Sequence, residues 1–325
     1  MRVFVRILLF ILAALLLTSC SDKKFPTISE EISIAATINI KEMTISFIDL
    51  DKEEKIADWK MDKPYTGALI LPDGNTIIMF GKQVDTVDLY SLKEGKSIGS
   101  WKTGKGIVNG KLLRSDEEIA LVDQKLNKIR FFNLHGEETG NVSTEQNPLT
   151  ILEAKKSQKL YVLSFNKAQL TVIDLKNKEK LTGFQIHPSA AGAWINENAN
   201  EIWIGGHGQG AEIEQNIHVY DLDTGTLKLK IPAPFMPINF LGKNNQVFVL
   251  SHGSSKLYKL DYEGNIIDSV IIGSNPFEIV FFGEYVVIAG YDSNDLHIVN
   301  PDSLKIIKTI PVGKGPFQIV LRERK

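Results

Sequence analysis

Two histidines stand in glycine- and serine-rich runs. His207 lies in Gly205-Gly206-His207-Gly208-Gln209-Gly210-Ala211-Glu212-Ile213-Glu214, and His252 in Ser251-His252-Gly253-Ser254. Imidazole titrates near neutral pH and ligates zinc, so this pair with Glu212 or Glu214 could exchange a proton or hold a metal. The spacing fits no zinc motif, and solvated loop histidines are the simpler reading. No metal ligand, cofactor or catalytic residue is therefore assigned. A third histidine, His187, directly precedes Pro188, and Lys63, Lys105 and Lys314 stand just ahead of Pro64, Gly106 and Pro316. Brought to one face, these lysines would suit an acidic or carboxylate-bearing partner.

The remaining reactive residue is Cys20, the one cysteine among 325 residues. It follows Arg2, Arg6 and an unbroken apolar run from Ile7 to Leu17. That run is too short for the roughly 20 residues needed to span a bilayer and suits a cleaved secretory signal. Leu17-Thr18-Ser19-Cys20 resembles the lipobox of bacterial lipoproteins, which implies diacylation of Cys20 and anchoring at the extracytoplasmic face of the cell membrane, with the outer membrane as the alternative in a diderm cell. Residues 1–19 are then signal, 20–32 lipidated cysteine and tether, and 33–325 the folded part. The formal charge of −2 becomes −4 once Arg2 and Arg6 leave with the signal, which argues against a nucleic-acid partner.

The elements that would carry these residues repeat. Residues 44–59 and 86–101 align without a gap, matching Thr44 with Thr86, Ile56 with Ile98 and Trp59 with Trp101. In the same register a short polar residue recurs at Asp49, Ser91, Asn133, Asp174, Asp221, Asp261 and Asn300, and a second marker at Pro64, Gly106, Pro148, Pro188, Pro237, Pro276 and Pro316. Seven units of about 42 residues, each with short runs of period two such as 159–165 and 246–251, predict an all-β, seven-bladed propeller of four-stranded blades. The polar marker is expected to accept backbone N–H bonds in a turn rather than to form a carboxylate cluster. Proline, which donates no hydrogen bond, is expected at the start of each innermost strand. Trp59 and Trp101 are read as inter-blade packing, and 137–146 as a poor outer strand.

With strands lettered A to D outward from the axis, the first unit lacks its A strand, which is predicted to come from Pro316–Leu321 and to close the ring. The strings NPFEIV (275–280) and GPFQIV (315–320), with the blade at 269–320, resemble the YVTN, or YncE-like, propeller repeat, and the resemblance runs over 33–321. It implies the fold and an extracytoplasmic habit, not an activity. His187, His207, His252, Lys63, Lys105 and Lys314 are expected around the face bearing the D-to-A and B-to-C loops. The function expected is a membrane-anchored binding or scaffold module for an envelope protein, peptide or glycan. The alternative is a propeller enzyme of lactonase, lyase or oxidoreductase type with a histidine and acid site on that face.

Overall fold

The computed structural model describes residues 24–324 apart from 114, 115, 166 and 210. Cys20 and the signal segment lie outside the described residues. Alternating apolar and polar residues bounded by turns give strands throughout, and among the described residues there is no helix. Seven four-stranded antiparallel sheets form the blades. Their A strands are Pro316–Arg322, Gly67–Ile70, Ile107–Leu112, Pro148–Ala154, Ala190–Asn196, Pro237–Lys243 and Pro276–Phe282. Blade 1 takes its A strand from the C terminus: Pro316–Arg322 pairs antiparallel with Ile34–Asn39, with Ala36 opposite Val320. The ring is thereby closed by hydrogen bonds, leaving no blade without its inner strand.

B and C strands are buried on both faces. Ile77, Ile78, Met79 and Phe80 are all inaccessible, as are Val286 to Ala289, and successive blades share these residues in apolar layers. The seven polar markers cap the C-to-D turns as expected. Asp49 Oδ1 accepts from the Asp51 and Lys52 amides, Asp221 Oδ1 from Asp223 and Thr224, and Asn300 Oδ1 from Asp302 and Ser303. Proline opens the A strand in blades 1, 4, 6 and 7, whereas the strands after Pro64 and Pro188 begin only at Gly67 and Ala190. The segment read as a poor outer strand does pair: Glu138–Ser143 runs antiparallel to Lys128–Asn133, with Arg130 reaching Glu138 Oε2 at 2.6 Å. Backbone pairing and one cross-strand ion pair there replace an apolar pattern.

The segment expected as a free tether is docked from residue 25 onward. Phe25 N donates to Gly95 O, Ile28 N to Leu92 O, and Trp59 Nε1 to Pro26 O at 2.9 Å. Ile28 is buried and the Phe25 ring stacks on Trp59 at 4.8 Å. Arg322, at the end of the closing strand, donates to the carbonyls of Ser29, Ile32 and Gly74. The contacts to Leu92, Gly95 and Gly74 lie at the C-to-D and A-to-B turns of blade 2, on the face opposite the loops that bear the histidines, while Trp59 stands in the outer strand of blade 1.

Candidate functional site

Each A strand enters from a D-to-A loop, and in every blade but the second, where Gly67–Ile70 pairs without a break, its register slips at once against the B strand. The bulge falls between Ile107 and Asn109, Pro148 and Thr150, Ala190 and Gly192, Pro237 and Asn239, and Pro276 and Glu278. A bulge re-aims the side chain that follows it. Here that residue, with Gln318 in blade 1 and Gly67 in blade 2, faces an axial cavity of about 300 Å³ to which all seven blades contribute. Several of these side chains staple neighbouring blades. Asn109 donates to Leu149 O, Thr150 to Ala191 O, Asn239 to Phe277 O, and Gln318 Oε1 accepts from Ala68 N. In blade 5 the position is glycine because a Cβ on Gly192 would sit 1.7 Å from Ile238 O.

Burial in the bore pushes the Glu278 carboxyl up to about 8, against the downward pull of hydrogen bonds from Asn239 and the Ile279 backbone. The shift favours the protonated carboxyl near pH 7. Since its folded value exceeds the unfolded ~4.3, the folded state binds the extra proton between these values. The stability present below about pH 4 therefore falls as pH rises towards 8. Glu278→Gln should remove that slope: its unfolding free energy should match wild type near pH 4.5 and exceed it at pH 8.5, by about 1–3 kcal/mol after allowing for water in the bore. Parallel slopes in the two proteins would contradict the assignment.

Around the mouth runs a crescent of rings. Phe277 and Phe317 stack at 4.4 Å, and Tyr291 lies 6.2 Å from Phe277. His252 stands edge-on to Phe277 at 6.0 Å, His207 edge-on to His252 at 6.0 Å, and Phe165 edge-on to His207 at 6.2 Å. Burial, then the neighbouring His252, holds His207 below the usual histidine value. The two histidines expected at like positions are therefore brought together, and His207 lines the cavity.

The other sequence-predicted residues are placed differently. Lys63 pairs with Asp88 at 2.6 Å and donates to Thr86. Lys105 is exposed in its loop, and Lys314 is exposed and 4.0 Å from Glu42. None of the three lines the cavity. Two of the three positive charges in the basic arc thus have carboxylate neighbours.

His187 turns away from the axis towards the C strand of blade 5, Asn216–Asp221, where its ring stacks on His218 at 4.0 Å and 16° from parallel. Its backbone N–H donates to the Tyr220 hydroxyl. Glu214, from the inserted loop, completes the group: one ligand-capable atom from each of His187, Glu214 and His218 lies within 4.8 Å of the others. Burial and the nearby His218 push His187 well below the ordinary histidine value. Burial pulls Glu214 the other way, but its contacts with His218 and Asn216 outweigh that and keep the carboxyl ionised.

Sequence reasoning missed His218 and Glu278, though the repeat marks both. His218 is the third residue of its C strand, where other blades place Ser46, Asp88, Arg130, Thr171, Tyr258 and His297. Glu278 and Gln318 are the fourth residues of NPFEIV and GPFQIV.

No family model matches the chain and no curated protein matches it in sequence, so the resemblance to YVTN repeats rests on those strings alone. Solved structures do match in shape. A functionally unknown protein from Desulfotomaculum acetoxidans superposes with TM-score 0.74 at 10% identity, covering 90% of this chain and 99% of that one. Kuenenia stuttgartiensis hydrazine synthase gives 0.71 at 14%, covering 87% and 98%. Apo AztD from Citrobacter koseri gives 0.60 at 14%, covering 90% and 97%. Identities this low establish architecture and not activity, and the architecture is that of a seven-bladed β-propeller.

Proposed function

We propose that this protein is a binding module of the cell envelope, anchored at the outer face of a membrane through lipid on Cys20, that takes a neutral, ring-sized group at its axial mouth. One sugar unit of an envelope glycan fits that description. The observation that carries the reading is the crescent from Phe165 to Phe317 above a cavity of about 300 Å³. Small-molecule sites are concave and largely apolar with a few fixed polar groups, and ring faces give contact area at little conformational cost. Burial raises the Glu278 carboxyl to about 8, which favours an uncharged floor and a neutral ligand. Loops held on a rigid scaffold are where binding concentrates.

With such an anchor, the docked segment would set how the propeller is held. Four peptide links separate Cys20 from Lys24, a reach of at most ~14 Å. Lipid on Cys20 would therefore hold the outer strand of blade 1 and the neighbouring C-to-D turn of blade 2 near the membrane. The test is affinity: oligosaccharides released from the native envelope, titrated against the Cys20→Ala protein, should bind, and Phe317→Ala with Phe277→Ala should weaken binding at least ten-fold while folding is retained. Peptide binding at the same mouth, with no glycan bound, would replace the ligand class. Binding indifferent to both phenylalanines would overturn the site.

A further inference from the structure

We propose that His187, Glu214 and His218 form a binding site for a first-row divalent transition ion, zinc foremost, on the one blade that departs from the repeat. The repeat supplies an internal control. At the third C-strand position, Ser46 Oγ accepts from Gly313 N, Asp88 from Lys63 and Tyr65, and Thr171 from Glu145 N, while Arg130 donates to Thr103 O. Each partner belongs to the D-to-A loop that leads into the same blade. His297, in blade 7, has Asp295 Oδ1 at 2.9 Å and Thr309 Oγ1 at 3.0 Å.

In blade 5 the loop delivers a second imidazole instead. His187 Nδ1, His187 Nε2 and His218 Nε2 are buried without a hydrogen-bond partner among the described residues. His218 Nε2 lies 3.5 Å from Glu214 Oε1, too long for a good hydrogen bond. Orphaned buried nitrogens are costly, and one from each imidazole lying within 4.8 Å of the Glu214 carboxylate needs an explanation. Two imidazoles and one carboxylate are a zinc donor set, and three protein ligands leave one coordination position open.

The insertion that makes blade 5 longer is what brings the acid. The hairpin pairing Gly208–Gln209 with Glu212–Ile213 returns the chain so that Glu214 N donates to His207 O and Glu214 O accepts from Met236 N. Glu214 Oε1 is oriented by the Asn216 amide at 2.9 Å and its side-chain Nδ2 at 3.2 Å. Such outer contacts fix a metal ligand. The Gly208 φ of +97° suits this return, and a Cβ there would lie 2.0 Å from Glu212 O. Near-parallel rings cannot both aim lone pairs at one ion. Loading therefore turns the loop-borne His187 ring out of the stack, while strand-borne His218 stays.

The experiment titrates the Cys20→Ala protein, which offers no thiolate, with Zn²⁺ alone by calorimetry and with Co²⁺ by visible absorption. One equivalent should bind. His187→Ala and Glu214→Gln should each weaken binding at least ten-fold with the metal-free melting midpoint retained, and the double variant His207→Ala, His252→Ala should bind as wild type. Absence of a saturable first equivalent overturns the proposal. So does binding that survives both His187→Ala and Glu214→Gln, or binding lost with the mouth histidines.

Discussion

Truncation after Val312 should abolish cooperative unfolding. The lost residues include the strand Pro316–Arg322, whose Ile319 and Val320 are buried and whose Gln318 bonds the Ala68 amide of the next blade. Without it, Ile34–Asn39 becomes an open edge, blades 7 and 2 lose the strand between them, and Arg322 no longer ties Ser29, Ile32 and Gly74. The loss is of the order of the whole folding stability of a domain, about 5–15 kcal/mol, and open strand edges recruit other chains. Calorimetry should show a broadened or absent transition, and light scattering should show aggregation. A single transition within a few degrees of wild type would mean that the ring does not depend on this closure.

Trp59→Ala should cost about 3–5 kcal/mol, the range for deleting a large aromatic from a packed core. Trp59 is fully buried, stacked on Phe25, 4.8 Å from Phe47, and hydrogen-bonded to Pro26 O. The variant should also release residues 24–32 to protease before the propeller melts. Trp101→Ala removes comparable volume against Phe132 and beside Gly136, but touches no part of that segment. It should destabilise and leave the N-terminal residues protected. Equal protection in both variants would mean that Trp59 does not hold the segment.

The repeat made the ring, the blade count, the capped turns and the C-terminal closure readable, because each depends on a residue type recurring at one register position. The mouth was partly readable. His207 and His252 follow equivalent B strands, so their proximity comes with the register, and the insertion in blade 5 announced itself by length. The destination of His187 was hidden because a D-to-A loop can turn towards the axis or towards the next C strand, and the choice depends on the partner waiting there, His218. The lysines were misleading for a related reason: Lys63 meets Asp88, a buried polar residue of the adjoining C strand. Docking of residues 24–32 was missed because the pattern Phe25-Pro26-Thr27-Ile28 carries too few apolar residues to show a strand, and its partners, Trp59 and Arg322, come from opposite ends of the chain.

The claim that the axial mouth is the binding site is tested most directly by hydrogen exchange of the protein with and without an envelope oligosaccharide that it binds. Protection should appear at the loops and strand starts that carry the crescent: around His207, around His252, over 276–291, and at Phe317 and Gln318. The turns of the opposite face, 91–95 and 221–225, should exchange unchanged. Protection confined to those turns or to the outer D strands, with the crescent exchanging as in the free protein, would contradict the account.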